Sequence, residues 1–321
     1  MKKPPLQVLL AETRGFCAGV VRAVEIVERA LDLYGPPIYV RNKIVHNKTV
    51  VTEFEEKGVV FVRDIGDVPV GAITIFSAHG VSRKVVNEAG ERSLQVIDAT
   101  CPLVTKVHSQ AKRYSKKGYE LIMIAHEGHP EVEGTVGQVD GRVHIVATVE
   151  DVEKLELANP DKLAYVTQTT LGVDDTRDVI TALVKRFPNI VGPDVKDICY
   201  ATQNRQTAVR AMAKQVDVIL IIGAHYSSNS CRLREIGEAC GADSYLVPDA
   251  DGLDPEWLSD ARSVGISAGA SAPEKLVQGL IARLDQMFEL TVKISDGVRE
   301  DIQFNLPRKL SRARARAGLS A

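Results

Sequence analysis

Three cysteines in this chain stand directly before segments that the sequence predicts to be helical. Cys17 lies in RGFCAGVVRAVEIV, Cys101 in DATCPLVTKVH and Cys199 in DICYATQNRQ. The free N–H groups and the positive dipole end at the start of a helix favour the thiolate, which is the form of cysteine that binds metal. Three thiolates converging from three segments would form a tripod, so the sequence predicts a metal centre.

The number of thiolates restricts the kind of metal centre. Structural zinc prefers four ligands, usually supplied as CxxC pairs, and the chain contains no CxxC. A 4Fe-4S cluster also usually takes four thiolates, so three cysteines would leave one iron open for substrate. The alternative is that these are ordinary buried cysteines, because free cysteine is often buried. Cys231 and Cys240 are interpreted in that way.

The composition excludes several classes of protein. The chain has 321 residues, of which 45% are hydrophobic and 26% charged, which is typical of a globular protein with two or three domains. A formal net charge of −2 does not indicate the basic surface that nucleic-acid binding requires. We find no signal sequence and no apolar run approaching ~18 residues. Five cysteines without a secretion signal indicate a reducing compartment. The sequence therefore predicts a cytoplasmic protein with neither nucleic acid nor membrane as a partner.

Short apolar runs alternate with amphipathic segments along the whole chain. This alternation predicts an α/β protein built from repeated βα units with parallel sheets. The predicted strands are Val8–Ala11, Pro37–Val40, Val59–Val62, Ala72–Phe76, Gln95–Asp98, Glu120–Ile124, Val143–Val146, Leu163–Val166, Val218–Ile222, Ser244–Leu246 and Ser263–Ile266. The cysteine-to-helix pattern restarts at Cys101 and Cys199, which predicts α/β lobes over 1–100, 101–197 and 198–290. Residues 291–321 are interpreted as a C-terminal extension with a basic, solvated tail.

Polar side chains collect where the predicted strands end. They include His79, His126, His129, the TQTT segment at 167–170, the HYSSN segment at 225–229, Ser267 and Ser271. In parallel α/β sheets the ligand binds outside the carboxyl ends of the strands, where helices begin. Hydroxyl, amide and imidazole groups with few lysines or arginines predict a cradle for a small phosphorylated ligand. Each serine or threonine taken alone is more readily explained by helix capping, and it is the occurrence of five such turns together that favours the phosphate cradle.

Only one of these turns carries carboxylates, namely Glu127, Glu131 and Glu133. A carboxyl group in a closed pocket without a paired cation has a raised pKa and can deliver a proton at neutral pH. Glu131 follows His129 and a proline, where a helix could start, but the spacing leaves all three glutamates open as the acid. His46, in VHNKTVV, is either a helix cap or a ligand.

Together these segments resemble a known enzyme family. The motifs GFCAGVVRA, VHNKTVV, FSAHGVS, DATCPLVTKVH, GHPEVEGTVGQ, TQTTL, DICYATQNRQ, SSNSCRL and AGASAP are similar to those of the 4-hydroxy-3-methylbut-2-enyl diphosphate reductases. These are the iron–sulfur enzymes that end the methylerythritol phosphate route to isoprenoids. The resemblance covers about residues 6 to 305 in the same order.

The resemblance implies a fold, a cofactor and a reaction. It implies three α/β lobes in a cloverleaf around one 4Fe-4S cluster held by Cys17, Cys101 and Cys199. Two electrons delivered through the cluster would convert 4-hydroxy-3-methylbut-2-enyl diphosphate into isopentenyl or dimethylallyl diphosphate plus water. The physiological electron donor would be a protein such as ferredoxin or flavodoxin.

The resemblance also implies roles for individual residues. It selects Glu131 from the three glutamates as the proton source and places Thr169 beside the allylic hydroxyl. The diphosphate would be bound by His46, His79, His129, Ser227, Ser228, Asn229 and Ser271.

Two other functions compete with this interpretation. A different three-cysteine iron–sulfur enzyme, such as a quinolinate synthase, would act on carboxylates and would require more arginine or lysine in the pocket. A non-catalytic iron–sulfur sensor would need neither the acid nor the phosphate cradle, and it would usually carry a DNA-binding element, which we do not find in the sequence.

Overall fold

The computed structural model describes residues 3–193 and 198–310. These residues form two compact units, each assembled from segments that are distant in sequence. The first unit comprises the described parts of Met1–Cys17, His46–Lys48 and Cys199–Ile302. The second unit comprises the described parts of Ala18–Val45, Thr49–Ile198 and Gln303–Ala321.

Strands and helices alternate through both units. The strands are β1 (Pro5–Leu10), β2 (Ile38–Arg41), β3 (Val59–Val62), β4 (Ile73–Phe76), β5 (Gln95–Asp98), β6 (Glu120–Ile124), β7 (Val143–Val146), β8 (Leu163–Thr167), β9 (Val218–Ile222), β10 (Asp243–Val247), β11 (Ser263–Ala268) and β12 (Glu289–Ile294). The helices are α1 (Ala18–Tyr34), α2 (Lys48–Glu56), α3 (Arg83–Glu91), α4 (Pro102–Lys116), α5 (Pro130–Val136), α6 (Val149–Glu153), α7 (Val173–Arg186), α8 (Tyr200–Met212), α9 (Ser228–Ala239) and α10 (Glu274–Met287). The predicted α/β class with parallel sheets is confirmed.

The first unit is a parallel sheet with helices on both faces. Its strand order is β10-β9-β11-β1-β12. Alternate residues of β9 point to opposite faces, because the side-chain period of a strand is two. Leu220 packs in a core with Leu280 of α10, whereas Ile219 packs in a second core with Met212 of α8 and Leu233 of α9. The apolar run of β9 is therefore buried on both sides, as expected for a central parallel strand.

The second unit contains two smaller parallel sheets, ordered β3-β2-β4-β5 and β7-β6-β8. In the second of these sheets, β6 is central and buries both faces. Ile122 packs with Leu183 of α7, and Met123 packs with Val107 and Ala111 of α4. Helix α4, which follows Cys101 in sequence, and helix α7, which precedes Cys199, are thus fixed to this sheet by apolar packing.

Both ends of the chain depart from the sequence-based division into lobes. β1 pairs with β11 on one side and with β12 on the other, so the first strand belongs to the sheet of residues 218–294. The sequence does not predict β12, because its side chains are mostly exposed and its position at the sheet edge gives it no continuous apolar signal. The segment assigned to a C-terminal extension therefore begins as an integral strand. The lobe boundaries at 100, 197 and 290 stay a prediction.

The chain after β12 continues along the loop that follows β1. The N–H of Ser295 donates to the carbonyl of Leu10 (2.8 Å), and the hydroxyl of Thr13 donates to the carbonyl of Val298. We call residues 295–300 the C-terminal strap. It fixes the segment that leads from β1 to Cys17.

In the described part of the chain, every helix is too short or too polar to span a bilayer. The basic tail singled out in the sequence lies largely at 311–321, outside the described residues.

Candidate active site

Each of the three cysteines stands at the start of a helix, as the sequence predicts. Cys17 directly precedes α1, and Cys101 and Cys199 are the N-cap residues of α4 and α8. Neither N-cap cysteine makes a side-chain capping hydrogen bond.

Cys17 and Cys199 both belong to the first unit, and Cys17 is close enough to affect the Cys199 thiol electrostatically. Burial raises the pKa of the Cys199 thiol to about 11, and the nearby Cys17 contributes to the rise. The N–H groups of Ala201 and Thr202 at the start of α8 act in the opposite direction but are outweighed. At Cys199, burial therefore outweighs the preference for the thiolate that the helix start provides. A bound cation would have to displace the thiol proton, as is general for thiolate ligands.

Cys101 belongs to the second unit, where its main chain is held on both sides. Its N–H donates to the carbonyl of Ala78 (3.0 Å), and Arg22 donates to the carbonyl of Thr100 (3.0 Å). Burial lowers the pKa of the Arg22 guanidinium, whereas Asp98 and Cys101 raise it. The Arg22 guanidinium and the Cys101 sulfur are therefore close enough to interact electrostatically.

The donor set suits iron–sulfur chemistry better than a single hard cation. All three predicted ligands are thiols, which are soft donors that select clusters over magnesium or calcium. Over residues 3–193 and 198–310, no three histidine, cysteine, aspartate or glutamate side chains lie close enough to hold one metal ion. A cluster differs from a single ion in that its cysteines bind separate iron atoms. Ligation of a cluster by the three cysteines stays a prediction.

Several predicted phosphate ligands lie together in the first unit at the starts of helices. Ser227 caps α9 by accepting a hydrogen bond from the N–H of Ser230 (3.4 Å). Ser271 donates to the carbonyl of His46 (3.1 Å), and the ring of His46 contacts Tyr226 edge to face. Ser228 is the first residue of α9. The first unit thus brings hydroxyl groups, an imidazole and a helix N-terminus to one place, which is the arrangement that binds anions.

Asn229 connects this helix start to the turn after β11. Its Oδ1 accepts a hydrogen bond from the N–H of Ala270 (2.9 Å). Its Nδ2 is buried and, among the described residues, has no hydrogen-bond partner. A buried amide donor without a partner costs free energy, and an anionic ligand would satisfy it.

Replacing Asn229 by aspartate should test this donor. The aspartate side chain would keep the acceptor for Ala270 N–H but replace the donor with a carboxylate oxygen, so inorganic diphosphate should bind more weakly by about 1–3 kcal/mol or more. Calorimetric titration of both proteins with inorganic diphosphate measures the difference. Asn229→Ala is the control, because it removes the donor without adding charge and should weaken binding less. Equal affinity of wild type and Asn229→Asp would contradict the assignment.

The predicted acid lies in the second unit and is directly hydrogen-bonded to the predicted threonine. The N–H of Thr169 donates to Oε1 of Glu131 (2.8 Å), and the Thr169 hydroxyl donates to Oε2 (2.7 Å). Glu131 is only 2% exposed, whereas Glu127 and Glu133 are exposed. Burial raises the pKa of Glu131 to about 7, although both Thr169 hydrogen bonds lower it. Of the three glutamates left open by the sequence, Glu131 is the buried one, and its surroundings are those of an acid that keeps its proton near neutrality.

Two histidines of the predicted cradle lie beside this pair. His129 caps α5, and its Nδ1 accepts a hydrogen bond from the N–H of Glu131 (3.1 Å). The rings of His79 and His129 meet edge to face with centroids 5.8 Å apart. Because Nδ1 of His129 is an acceptor, its proton is on Nε2, the nitrogen that can donate to an anion.

Gln168 is a polar residue at the end of a strand to which the sequence assigns no individual role. It is fully buried, and its Oε1 accepts from the N–H of His126 (3.0 Å) while its Nε2 donates to the Thr170 hydroxyl (2.9 Å). It therefore joins the turn after β6 to the turn after β8, which carry Glu131 and Thr169. The only available signal in the sequence is its position between two polar residues directly after a buried strand.

The raised pKa of Glu131 makes the stability of the fold depend on pH. The folded state holds the Glu131 proton more tightly than the unfolded state, and this difference stabilises the fold. The stabilisation is complete below a pH of about 4.5 and is lost as the pH rises through about 7. We expect Glu131→Gln to remove this component, which is of the order of a few kcal/mol. Anaerobic urea unfolding of both proteins at pH 5 and pH 8 measures it. If wild type and Glu131→Gln differ in unfolding free energy by the same amount at pH 5 and at pH 8, the raised pKa is contradicted.

A family model described as LytB protein matches residues 8–285. The chain belongs to the LytB family. A relative from Bradyrhizobium diazoefficiens, named 4-hydroxy-3-methylbut-2-enyl diphosphate reductase 2, is 58% identical over 306 residues, covering 95% of this chain and 99% of the relative. A relative from Zymomonas mobilis, named 4-hydroxy-3-methylbut-2-enyl diphosphate reductase, is 54% identical over 311 residues, with coverage of 97% and 92%.

Two solved reductase structures share the fold. The E-1-hydroxy-2-methyl-but-2-enyl-4-diphosphate reductase of Plasmodium falciparum superposes with a TM-score of 0.93 at 37% identity, covering 99% of this chain and 100% of that one. A second structure, of (E)-4-hydroxy-3-methyl-but-2-enyl diphosphate reductase, gives a TM-score of 0.63 at 32% identity, with coverage of 88% and 99%. The family recognised from the sequence motifs is confirmed.

Proposed function

We propose that this chain reduces 4-hydroxy-3-methylbut-2-enyl diphosphate to isopentenyl diphosphate and dimethylallyl diphosphate, with release of water. The reductase class rests on the names of its relatives. The observation that carries the chemistry is the buried Glu131, whose carboxyl group is held by Thr169 and has a pKa of about 7. Loss of a hydroxyl group requires a proton, and this residue can supply one.

The reaction consumes two electrons and two protons. The bond between carbon and the hydroxyl oxygen breaks, one proton leaves with the oxygen as water, and the other ends on carbon. Protonation at one or the other end of the allylic system gives the two products. Glu131 supplies the proton that reaches the oxygen, because a neutral carboxylic acid is a far better donor than water at pH 7.

Thr169 positions the acid and can pass on its proton. The main-chain N–H fixes Oε1, which leaves Oε2 as the oxygen that exchanges a proton with the Thr169 hydroxyl. A hydroxyl group both donates and accepts, so it can receive the Glu131 proton while donating its own to the substrate oxygen. Thr169 is half-buried and Glu131 is buried, so bulk water has poor access to the acid.

The cofactor is a 4Fe-4S cluster held by Cys17, Cys101 and Cys199. When bound, it supplies electrons and an open iron position that acts as a Lewis acid. The three main-chain segments are suited to this task, since each cysteine stands at the start of a helix, where free N–H groups favour a negatively charged ligand. Mössbauer spectra of the anaerobic protein, with and without substrate, test both the cluster type and the open iron.

The diphosphate is bound mainly by neutral donors and imidazoles. The ligands are His46, His79, His129, Ser227, Ser228, Asn229 and Ser271. Neutral donors hold the anion without the strong charge pairing of an arginine clamp, so the products can leave. This donor set argues against a quinolinate synthase-like activity, since planar carboxylates are typically bound by bidentate arginine.

The electron donor is a one-electron carrier protein such as ferredoxin or flavodoxin. The reaction needs two electrons per turnover, and a cluster of this type passes them singly. A non-catalytic sensor would have no use for an acid with a raised pKa, so the Glu131 site also argues against that alternative.

Turnover of the anaerobic protein with a chemical reductant tests the proposed function directly. Substrate, dithionite and a viologen mediator should give both diphosphate products and water, and inorganic diphosphate should inhibit. Gas chromatography after phosphatase treatment identifies the products. A fully loaded protein that leaves this substrate unchanged would overturn the proposal.

A further inference from the structure

A buried arginine lies between the two cysteine-bearing segments of the first unit. Arg205 is 1% exposed and lies on α8, which begins after Cys199. Its Nε and Nη2 both donate to the carbonyl of Gly15 (3.0 and 2.7 Å), which lies two residues before Cys17. Its Nη1 donates to the carbonyl of Ala201 (2.8 Å), two residues after Cys199. One guanidinium thus binds the main chain next to both cysteines.

The charge of Arg205 is compensated by a residue of the C-terminal strap. Nη1 lies 3.0 Å from Oε1 of Glu300, and Nη2 lies 3.2 Å from Oε2. Asn204 also donates to Oε1 of Glu300 (2.9 Å). Compensation is required here, because an unpaired charge in a buried position is strongly unfavourable. The strap therefore holds the guanidinium at the cysteine loops.

The opposite side of the Gly15–Cys17 segment is fixed by the turn after β11. The N–H of Gly15 donates to the carbonyl of Ala268 (3.1 Å), and that of Cys17 donates to the carbonyl of Ala270 (3.2 Å). Gly15 has a φ of +64°, and a Cβ there would approach the carbonyl of Ala272 to 3.0 Å. With the N–H groups bound to this turn, the Gly15 carbonyl faces Arg205, so the segment is held from two sides.

We infer that Arg205, held by Glu300, is a positioning residue that sets the spacing of the Cys17 and Cys199 sulfurs for the iron–sulfur cluster. This inference rests on the proposed ligation of the cluster by these two cysteines. The rigid fork of a guanidinium is essential, because it reaches Gly15, Ala201 and Glu300 at once. Lysine has a single ammonium group and cannot make the same set of bonds.

The test compares Arg205→Lys and Glu300→Gln with wild type and Leu284→Ala. Leu284 lies in the α10 core of the same unit, so its truncation lowers stability without touching the cysteine loops. The full chain is prepared anaerobically with iron, and two readouts are recorded. One is the rate at which a ferrous chelator removes iron, and the other is the electron paramagnetic resonance spectrum of the reduced protein.

We expect both Arg205→Lys and Glu300→Gln to lose iron roughly 10-fold faster or more than wild type, the usual range for outer ligand-orienting groups. Their spectra should also shift, because the sulfur positions change. Leu284→Ala should release iron at nearly the wild-type rate with an unaltered spectrum. If Arg205→Lys does not fold, Glu300→Gln carries the test, since glutamine keeps an acceptor for Arg205.

Release no faster than in Leu284→Ala would overturn the inference, as would faster release with an unaltered spectrum. Cys17→Ser in the same series distinguishes a failure of the proposed ligation from a failure of the role of Arg205. If Cys17→Ser keeps its full iron content, the proposed ligation is at fault. If Cys17→Ser loses iron while the Arg205 and Glu300 variants retain it normally, only the role of Arg205 fails.

Discussion

Glu131→Gln is expected to lower the rate of substrate reduction by about 10²–10⁴-fold. Glutamine has the same shape, and its Nε2 and Oε1 can replace both hydrogen bonds to Thr169, whose distances are 2.7 and 2.8 Å. It cannot release a proton to the leaving oxygen. Iron content and substrate affinity should therefore remain close to wild type, and single-turnover reduction with a chemical donor measures the loss.

Two neighbouring glutamates provide matched controls for this variant. Glu127 and Glu133 belong to the same turn and helix but are exposed, so Glu127→Gln and Glu133→Gln should retain nearly full rates. In wild type the rate should fall as pH rises above about 7, where Glu131 loses its proton. A near-normal rate of water release by Glu131→Gln would show that another group is the proton donor.

Cys101→Ser is expected to abolish binding of the cluster. With one of three thiolates removed, the remaining two cannot hold a cluster stably, so iron and sulfide should fall to background in the anaerobic protein. Cys231→Ser and Cys240→Ser are the controls and should keep full iron content. The thiol of Cys231 donates to the carbonyl of His225 (3.0 Å), and Cys240 is exposed at the end of α9. Loss of iron from either control as complete as that from Cys101→Ser would show that the three-cysteine assignment is wrong.

Much of the fold was predictable because parallel strands carry a strong local signal. Strands such as β9 read as continuous apolar runs, and their predicted bounds agree with the structure. β12 gives no such signal, since it is an exposed edge strand whose pairing with β1 joins residues that are far apart in sequence. Local patterns contain no information on that pairing, so residues 291–321 could be interpreted only as an extension.

The candidate site was predictable in its residue types and less so in its electrostatics. Spacing located the helix starts at the cysteines, but the raised pKa of Cys199 depends on burial, which is a tertiary property. The same property separates Glu131 from Glu127 and Glu133, which look equivalent in the sequence. The role of Arg205 gives no signal in the sequence for a related reason, because an arginine in a helix is normally expected to be solvent-exposed.

The composition of the first unit from distant segments determines when it can be completed during synthesis. β1 leaves the ribosome long before its two neighbours, β11 and β12, have been made. Domains fold as units, and this one is complete only after Glu300 has been added. The groups that hold the Cys17 loop are therefore complete only once Glu300 has been made. The proposed loading of iron at this cysteine should therefore require that Glu300 has been made, and ribosomes stalled before residue 300 should carry chains that cannot retain a cluster.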